Sequence, residues 1–154
     1  MLKTAYKFVR FGYGDGLLLY SAGNSPLEMY TMSLTQEQID NFYRQTSKER
    51  FAQFLEQVAE HKTLWTLANE QGCVLVDTGE EQCLLLWPHQ DLAESWATEE
   101  YAGCQPMGIP LDDFLDKWVP GLANDGYDVA LVPTRAGEGE VMSAKELAVE
   151  LQGE

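Results

Sequence analysis

The chain has 154 residues, of which 45% are hydrophobic, and this length and composition fit one globular domain but not two. Its formal net charge is -15, which raises repulsion toward phosphates, so we expect neither nucleic acid nor a membrane surface as a partner. Residues 63–154 account for the whole charge, with 18 acidic and three basic side chains, whereas residues 1–62 hold seven of each sign.

The cysteines and the apolar segments indicate where the protein resides. Cys73, Cys83 and Cys104 are an odd number of cysteines in a domain of this size, which favours reduced thiols over a disulfide framework. The apolar run at 17–20 is shorter than the roughly 7–15 residues of an export signal, and no run approaches the roughly 20 residues that span a bilayer. The sequence therefore predicts a cytoplasmic protein.

Residues 1–31 differ from the rest of the chain, because they are rich in Gly and Tyr and show no amphipathic period. We interpret them as an N-terminal arm, either disordered or the product of an over-extended gene start. A β-hairpin formed by residues 8–11 and 17–20 is the alternative, since a Gly-rich stretch joins these two apolar segments. Residues 32–154 then form a single α+β domain.

Two helices are predicted at the start of this domain. Thr35 and Gln38 have the spacing of a capping box, and the same spacing recurs at Thr46 and Glu49. Beyond Glu49, apolar residues follow at i, i+3, i+4 and i+7, which is the pattern of a helix that buries one face. These residues are Phe51, Phe54, Leu55 and Val58. The second helix therefore anchors the core, and we expect it to end at 61–62.

Three short apolar runs follow, at 64–67, 73–76 and 83–87, and they predict strands. Turn-forming residues separate the runs at 69–72 and 77–80, and connections this short favour an antiparallel meander. The third run does not alternate between apolar and polar residues, so we expect a central strand that is covered on both faces.

Three more helices are predicted in the second half of the chain. Pro88 stops the third strand and suits the start of a short helix. A helix from 111 to about 119 follows, and the Pro-Gly pair at 120–121 is expected to end it. Ser143 and Glu146 have capping-box spacing at the start of the last helix.

One or two later strands complete the prediction, a strand at 127–132 and, if it is counted, a short strand at 106–109. The expected fold is therefore α+β. It has a small, mainly antiparallel sheet, made of the three-strand meander plus these later strands, packed with about five helices.

Asp77 is the sharpest catalytic candidate. Residues 74–79 read apolar-Asp-Thr-Gly, the turn in which aspartic proteases place an Asp that shares a proton with a second carboxylate. An ordinary hairpin turn has the same composition, and the strand that follows at once leaves no room for a flap. We therefore favour the turn and keep a dimeric acid protease using Asp77 as an alternative.

A thiol and an imidazole are the second catalytic possibility, because Cys83 or Cys104 with His89 would supply a nucleophile and a base. Nothing in the local sequence has the pattern of a known nucleophile turn. The cysteines also lack the close Cys-x2-Cys pair that is usual in structural zinc sites, and Cys73 and Cys83 fit apolar strands as small core side chains. We therefore expect no catalytic residue, no metal and no cofactor.

Acidic residues of the fourth predicted helix are the remaining candidate site. Asp112, Asp113 and Asp116 lie on the face opposite the apolar residues, and Glu99 and Glu100 are near in sequence. Asp112 and Asp116 are four residues apart and destabilise the helix slightly unless something positive approaches. This acidic face is either simply solvated or binds a basic protein, and a hard metal ion is the third alternative.

A set of tryptophans, apolar residues and turn residues gives the chain a family resemblance from about Leu34 onward. The set comprises Leu64-Trp65-Thr66-Leu67, Gly72, Leu86-Trp87-Pro88, Asp91, Ala93, Trp96, Ile109 to Leu115, Trp118 to Leu122, Asp125-Gly126 and Val129 to Pro133. In these residues the chain resembles a bacterial family known only as domain of unknown function 2750. The resemblance implies no reaction, so it assigns no catalytic residue.

We expect a small acidic cytoplasmic protein that binds another protein, most plausibly a basic one, and that is not an enzyme. An inhibitor of a basic bacterial toxin, of the immunity type, is one alternative. A hydrolase that uses Asp77 or the Cys/His pair is the other. The expected assembly state is a monomer or a homodimer.

Overall fold

The structure, a computed structural model, describes residues 5–9, 34–69, 72–77, 81–97, 103–134 and 139–152. Its helices are α1 (Gln36–Arg44), α2 (Ser47–His61), α3 (Gln90–Trp96), α4 (Leu111–Asp113), α5 (Val119–Asp125) and α6 (Ala144–Gln152). Its strands are β1 (Ala5–Val9), β2 (Thr63–Asn69), β3 (Gly72–Asp77), β4 (Gln82–Leu86), β5 (Gln105–Pro110), β6 (Asp128–Leu131) and β7 (Glu140–Ser143). A π-helical turn (Phe114–Trp118) joins α4 to α5 in one continuous helical segment. The predicted α+β fold is confirmed.

All seven strands belong to one sheet. Six of them follow the order β5-β2-β3-β4-β6-β7, and β1 pairs with β3 outside this order. The pairs are antiparallel, except that β6 runs parallel to β4. Because β2 pairs with β3 and β3 pairs with β4, both antiparallel and through short connections, the predicted antiparallel pairing of these three consecutive strands is confirmed.

Strand β3 changes its neighbour along its length. Residues 72–73 pair with β2, whereas residues 75–77 pair with β4. Beyond β3, β2 meets the end of β4 directly through the paired backbones of Trp65 and Trp87. Strand β1 pairs with residues 73–77. Since a strand has two edges, β1 lies on the edge opposite β2 and β4, which we call the outer edge of β3.

The helix starts follow the local sequence signals. The Thr46 hydroxyl oxygen accepts a hydrogen bond from the Glu49 N–H at 3.1 Å, and the Glu49 carboxylate accepts one from the Thr46 N–H at 3.0 Å. The same reciprocal pair joins Thr35 with Gln38 and Ser143 with Glu146. Each pair satisfies two backbone donors that a helix start leaves without an intrahelical partner.

The core lies on both faces of β4. All four residues from Cys83 to Leu86 are fully buried, as the run without alternation predicted. Helix α2 adds Phe54 and Val58, also fully buried, and each such apolar side chain contributes about 1.5–3 kcal/mol before entropy is subtracted. None of the helices in the described ranges is long and apolar enough to cross a membrane.

The prediction that the Pro-Gly pair at 120–121 ends the fourth helix is wrong, because the helix continues to Asp125. The Val119 N–H bonds to the carbonyl of Phe114, five residues back, so the helix widens into a π turn just before this proline. The proline then lies in the first turn of α5, where its missing N–H is tolerated. The helix ends instead at Gly126, whose φ of 80° suits glycine.

The sheet extends beyond the predicted strands at both ends of the chain. Strand β7 was not among the predicted strands, because a run of four residues without alternation carries no strand signal. At the other end the structure describes β1 within the predicted arm, while the second strand of the alternative hairpin, 17–20, lies outside the described residues. The division into an arm and a domain stays a prediction.

Candidate binding surfaces

Three of the five acidic residues predicted as a binding face lie on the helical segment 111–125. Asp112 and Asp116 are exposed, and Asp113 is half-buried. The opposite side of this segment is buried in the core through Leu111, Phe114 and Trp118. Glu99 and Glu100 lie outside the described residues. We therefore define the aspartate surface as Asp112, Asp113 and Asp116.

The local backbone favours two of these carboxylates more than the third. Asp112 and Asp113 lie in the first turn of the segment, where the helix dipole stabilises negative charge. Asp116 lies in the π turn, farther from that end. Three carboxylates within five residues, held by a helix that is anchored in the core, present a fixed negative patch. Such a patch accepts charge-assisted hydrogen bonds from Arg or Lys.

A second group of carboxylates, which the sequence did not predict, lies at one end of the sheet. Asp77 ends β3, Glu81 precedes β4, Asp128 begins β6 and Glu146 lies in the first turn of α6. Burial raises the pKa of Asp128, and the charges of Glu81 and Glu146 raise it further. We call these four residues the sheet-end carboxylates. They come from four separate elements, so no periodicity in the sequence could indicate them.

Replacing Asp128 by Asn should stabilise the protein at pH 7. A carboxyl whose folded pKa is raised supports folding below its unfolded pKa of about 3.9, and this contribution is lost as the pH rises through the folded pKa. At pH 7 the wild type therefore carries a penalty for burying a charged carboxylate and placing it near Glu81 and Glu146, which Asp128→Asn removes. We expect a gain of roughly 0.2–0.5 kcal/mol, the size of a like-charge pair at neighbouring positions, measured by urea unfolding.

The pH dependence and a control make this test specific. The gain should disappear near pH 3, where Asp128 is protonated in both the folded and the unfolded state. Glu150 is exposed on α6 and does not contribute to the raised pKa of Asp128, so Glu150→Gln should leave stability unchanged. A loss of stability in Asp128→Asn at pH 7 would show that the carboxylate makes a favourable contact that outweighs the repulsion.

The three thiols are all buried and free. Burial raises the pKa of Cys73 to about 12. Burial, followed by the charges of Glu81, Asp128 and Asp77, raises the pKa of Cys83 to about 12. Burial also raises the pKa of Cys104. The thiolate is the reactive form of cysteine, so these environments oppose the activation that a nucleophile needs.

His89 has a structural contact at the start of α3. Its Nδ1 accepts a hydrogen bond from the Asp91 N–H at 3.0 Å, which makes it the N-cap of the helix. The Asp91 carboxylate in turn accepts a hydrogen bond from the Leu34 N–H at 2.7 Å. The prediction of a short helix after Pro88 is confirmed.

Asp77 is half-buried at the end of β3, where it pairs with Gln82 of β4. Residues 78–80, which complete the Asp-Thr-Gly turn, lie outside the described residues. Within the described part of the chain, no group of three or more His, Cys, Asp or Glu side chains is placed to hold a metal ion. These contacts do not bring together the groups that an acid protease using Asp77, or a hydrolase using the Cys/His pair, would need.

Comparison with known proteins gives one match. The model of a family described as "protein of unknown function (DUF2750)" matches residues 51–151. No curated protein and no solved structure matches the chain. The matched region begins inside α2 and ends inside α6, so it includes the aspartate surface and the sheet-end carboxylates and leaves out α1 and β1.

Proposed function

The chain belongs to the DUF2750 family of proteins of unknown function, and from this starting point we propose that it is a cytoplasmic protein that binds a basic partner protein and catalyses no reaction. One observation carries this proposal. The exposed carboxylates of Asp112 and Asp116 lie on a helical segment whose other side is fixed in the core.

The repulsion between the carboxylates of the aspartate surface supports the proposal. Two aspartates four residues apart on a helix repel each other, typically by a few tenths of a kcal/mol. A cationic side chain placed between them would attract both carboxylates and so offset their mutual repulsion. The net charge of -15 would also steer a basic partner toward the protein during encounter. Both effects should weaken as salt rises.

The chemistry of the reactive side chains supports binding over catalysis. The pKa values of Cys73 and Cys83, raised to about 12, leave very little thiolate at neutral pH. An inhibitor of a basic toxin would be one instance of the proposed binding, since it would use the same negatively charged surface. In either case the function depends on recognition of positive charge.

Affinity capture at two salt concentrations tests the proposal. The tagged chain is incubated with cell lysate at about 50 mM and about 300 mM salt, and bound proteins are identified by mass spectrometry. We expect one or a few basic proteins that are enriched at low salt and reduced at high salt. The double variant Asp112→Asn/Asp116→Asn should lose them.

A matched variant controls for the overall charge. Glu56 and Glu60 are also exposed, also four residues apart and also helical, but they lie on α2. The variant Glu56→Gln/Glu60→Gln removes the same charge at another place and should retain the captured proteins. Capture of no basic protein by the wild type, or equal loss in both variants, would contradict the proposal.

A further inference from the structure

The outer edge of β3 is occupied by a strand that the matched family region does not include. Five residues of β1 pair with β3, from Ala5 opposite Asp77 to Val9 opposite Cys73. The family match begins at residue 51, so it leaves β1 out. Without β1, the matched region would present an open strand edge, which is a template for pairing with another extended chain.

Within the described residues, strand β1 pairs with the sheet through β3 alone. Residues 10–33 separate it from Leu34, where the next described part of the chain begins. Strand β3 itself is fixed on its other edge by β2 and β4, and its residues 73–76 are buried in the core. We therefore expect β3 to stay in place when β1 leaves.

The sequence in and around β1 is basic, whereas the end of β3 that pairs with it carries an acidic residue. Residues 3–10 contain three basic residues, Lys3, Lys7 and Arg10, and no acidic one. The first residue of β1 pairs with Asp77, one of the sheet-end carboxylates. Strand β1 itself carries Lys7 and no acidic residue, so an extended segment with positive charge is the chemical type that this edge already pairs with.

We propose that the outer edge of β3 is a docking site for an extended basic segment of a partner protein, and that β1 is an internal occupant which this segment replaces. Main-chain hydrogen bonds would supply affinity, and nearby carboxylates would select positive charge. A strand of the same chain competes intramolecularly with a separate segment, so β1 holds the edge until a segment that binds more tightly arrives. This proposal does not depend on the aspartate surface, which lies on a different element.

A peptide that copies residues 2–11 is the probe. The full-length variant Tyr6→Pro/Lys7→Pro vacates the edge, because adjacent residues of an antiparallel strand alternate in donating to the neighbouring strand and proline cannot donate. By fluorescence anisotropy, the labelled peptide should bind this variant at least about tenfold more tightly than it binds the wild type, where β1 competes. A scrambled peptide of the same composition should not bind.

Four results would overturn the proposal. They are equal binding of the peptide to both proteins, equal binding of the scrambled peptide, loss of the folded near-ultraviolet circular dichroism in the variant, and a concentration-dependent wild-type dimer in light scattering. Loss of the folded signal would make β1 an integral part of the core, and a dimer would make a second copy the occupant.

Hydrogen exchange on the unmodified chain gives an independent test. The amides of β3 that pair with β1 should exchange faster than those of β4 that pair with β6, because β1 opens without the core. Equal exchange rates for these two sets would overturn the proposal without the use of any variant.

Discussion

Replacing Arg50 by Ala should lower the free energy of unfolding by about 3–5 kcal/mol, as measured by urea titration. Arg50 is only 2% exposed. Its Nε–H donates to the carbonyl of Val132 at 3.0 Å, and its Nη1 donates to the carbonyl of Gln45. Alanine removes both donors, and a buried acceptor left without one costs about 1–3 kcal/mol.

The backbone conformation of Val132 should add to the loss of stability in Arg50→Ala. Its φ of 44° is in the left-handed region, which a β-branched residue adopts only at a cost of about 1–3 kcal/mol. Its N–H donates to the carbonyl of Leu86 at 2.8 Å, and its own carbonyl accepts from Arg50. Arg50 therefore helps to hold a strained residue, and its loss should release the end of β6.

Arg44 is the matched control for the arginine substitution. It is exposed on α1 and donates to Asn41 at 2.9 Å on the same helix, so Arg44→Ala should change stability by no more than about 0.5 kcal/mol. If Arg50→Ala also costs less than about 1 kcal/mol, Arg50 does not stabilise the fold in the way described.

Replacing Trp87 by Ala should lower the free energy of unfolding by about 3–5 kcal/mol. Trp87 is fully buried, and its indole ring lies 5.5 Å from that of Trp96, centroid to centroid. Its Nε1–H donates to the Tyr43 hydroxyl at 3.0 Å, and that hydroxyl donates to the Leu92 carbonyl at 2.9 Å. The substitution therefore opens a large cavity and breaks a chain of hydrogen bonds.

Two milder variants separate the stability cost of the cavity from that of the lost hydrogen bonds. Tyr43→Phe keeps the ring and removes the link between Trp87 and Leu92, so it should cost about 1–2 kcal/mol. Val149→Ala, at a residue that is 68% exposed, should be neutral within about 0.5 kcal/mol. A cost for Trp87→Ala that does not exceed that of Tyr43→Phe would show that the surrounding core collapses into the space.

Local signals in the sequence predicted much of the fold correctly. The capping pairs at Thr46 and Glu49 and at Ser143 and Glu146 act within one helical turn, so their spacing alone indicated where helices begin. The third strand was predicted as central because burial on both faces requires an apolar run without alternation, and β4 fulfils this.

Features that depend on distant parts of the chain were not predictable. Arg50 follows a capping box and has the pattern of an ordinary polar helix residue, yet it bonds to Val132, 82 positions away. The environment of Asp128 likewise depends on Glu81 and Glu146. The helix continues past residue 120 because a π turn precedes it, and a hydrogen-bond shift of this kind leaves no mark in apolar periodicity.

The candidate site was predictable only as a helix face. Apolar periodicity placed Asp112 and Asp116 opposite the buried residues, and both are exposed. The sheet-end carboxylates were missed, since Glu81 and Glu146 approach Asp128 only through the strand order of the sheet. The described residues thus include two acidic regions on different elements, and a partner is expected to distinguish them.

The most direct test of the proposed binding is an equilibrium titration of the captured basic partner against three proteins at low salt: the wild type, Asp112→Asn/Asp116→Asn and Glu56→Gln/Glu60→Gln. We predict that the first variant raises the Kd by at least about tenfold and the second by less than about twofold, because local contacts outweigh total charge. Equal changes in Kd for the two variants would mean that net charge alone attracts the partner, and would contradict a binding site at the aspartate surface.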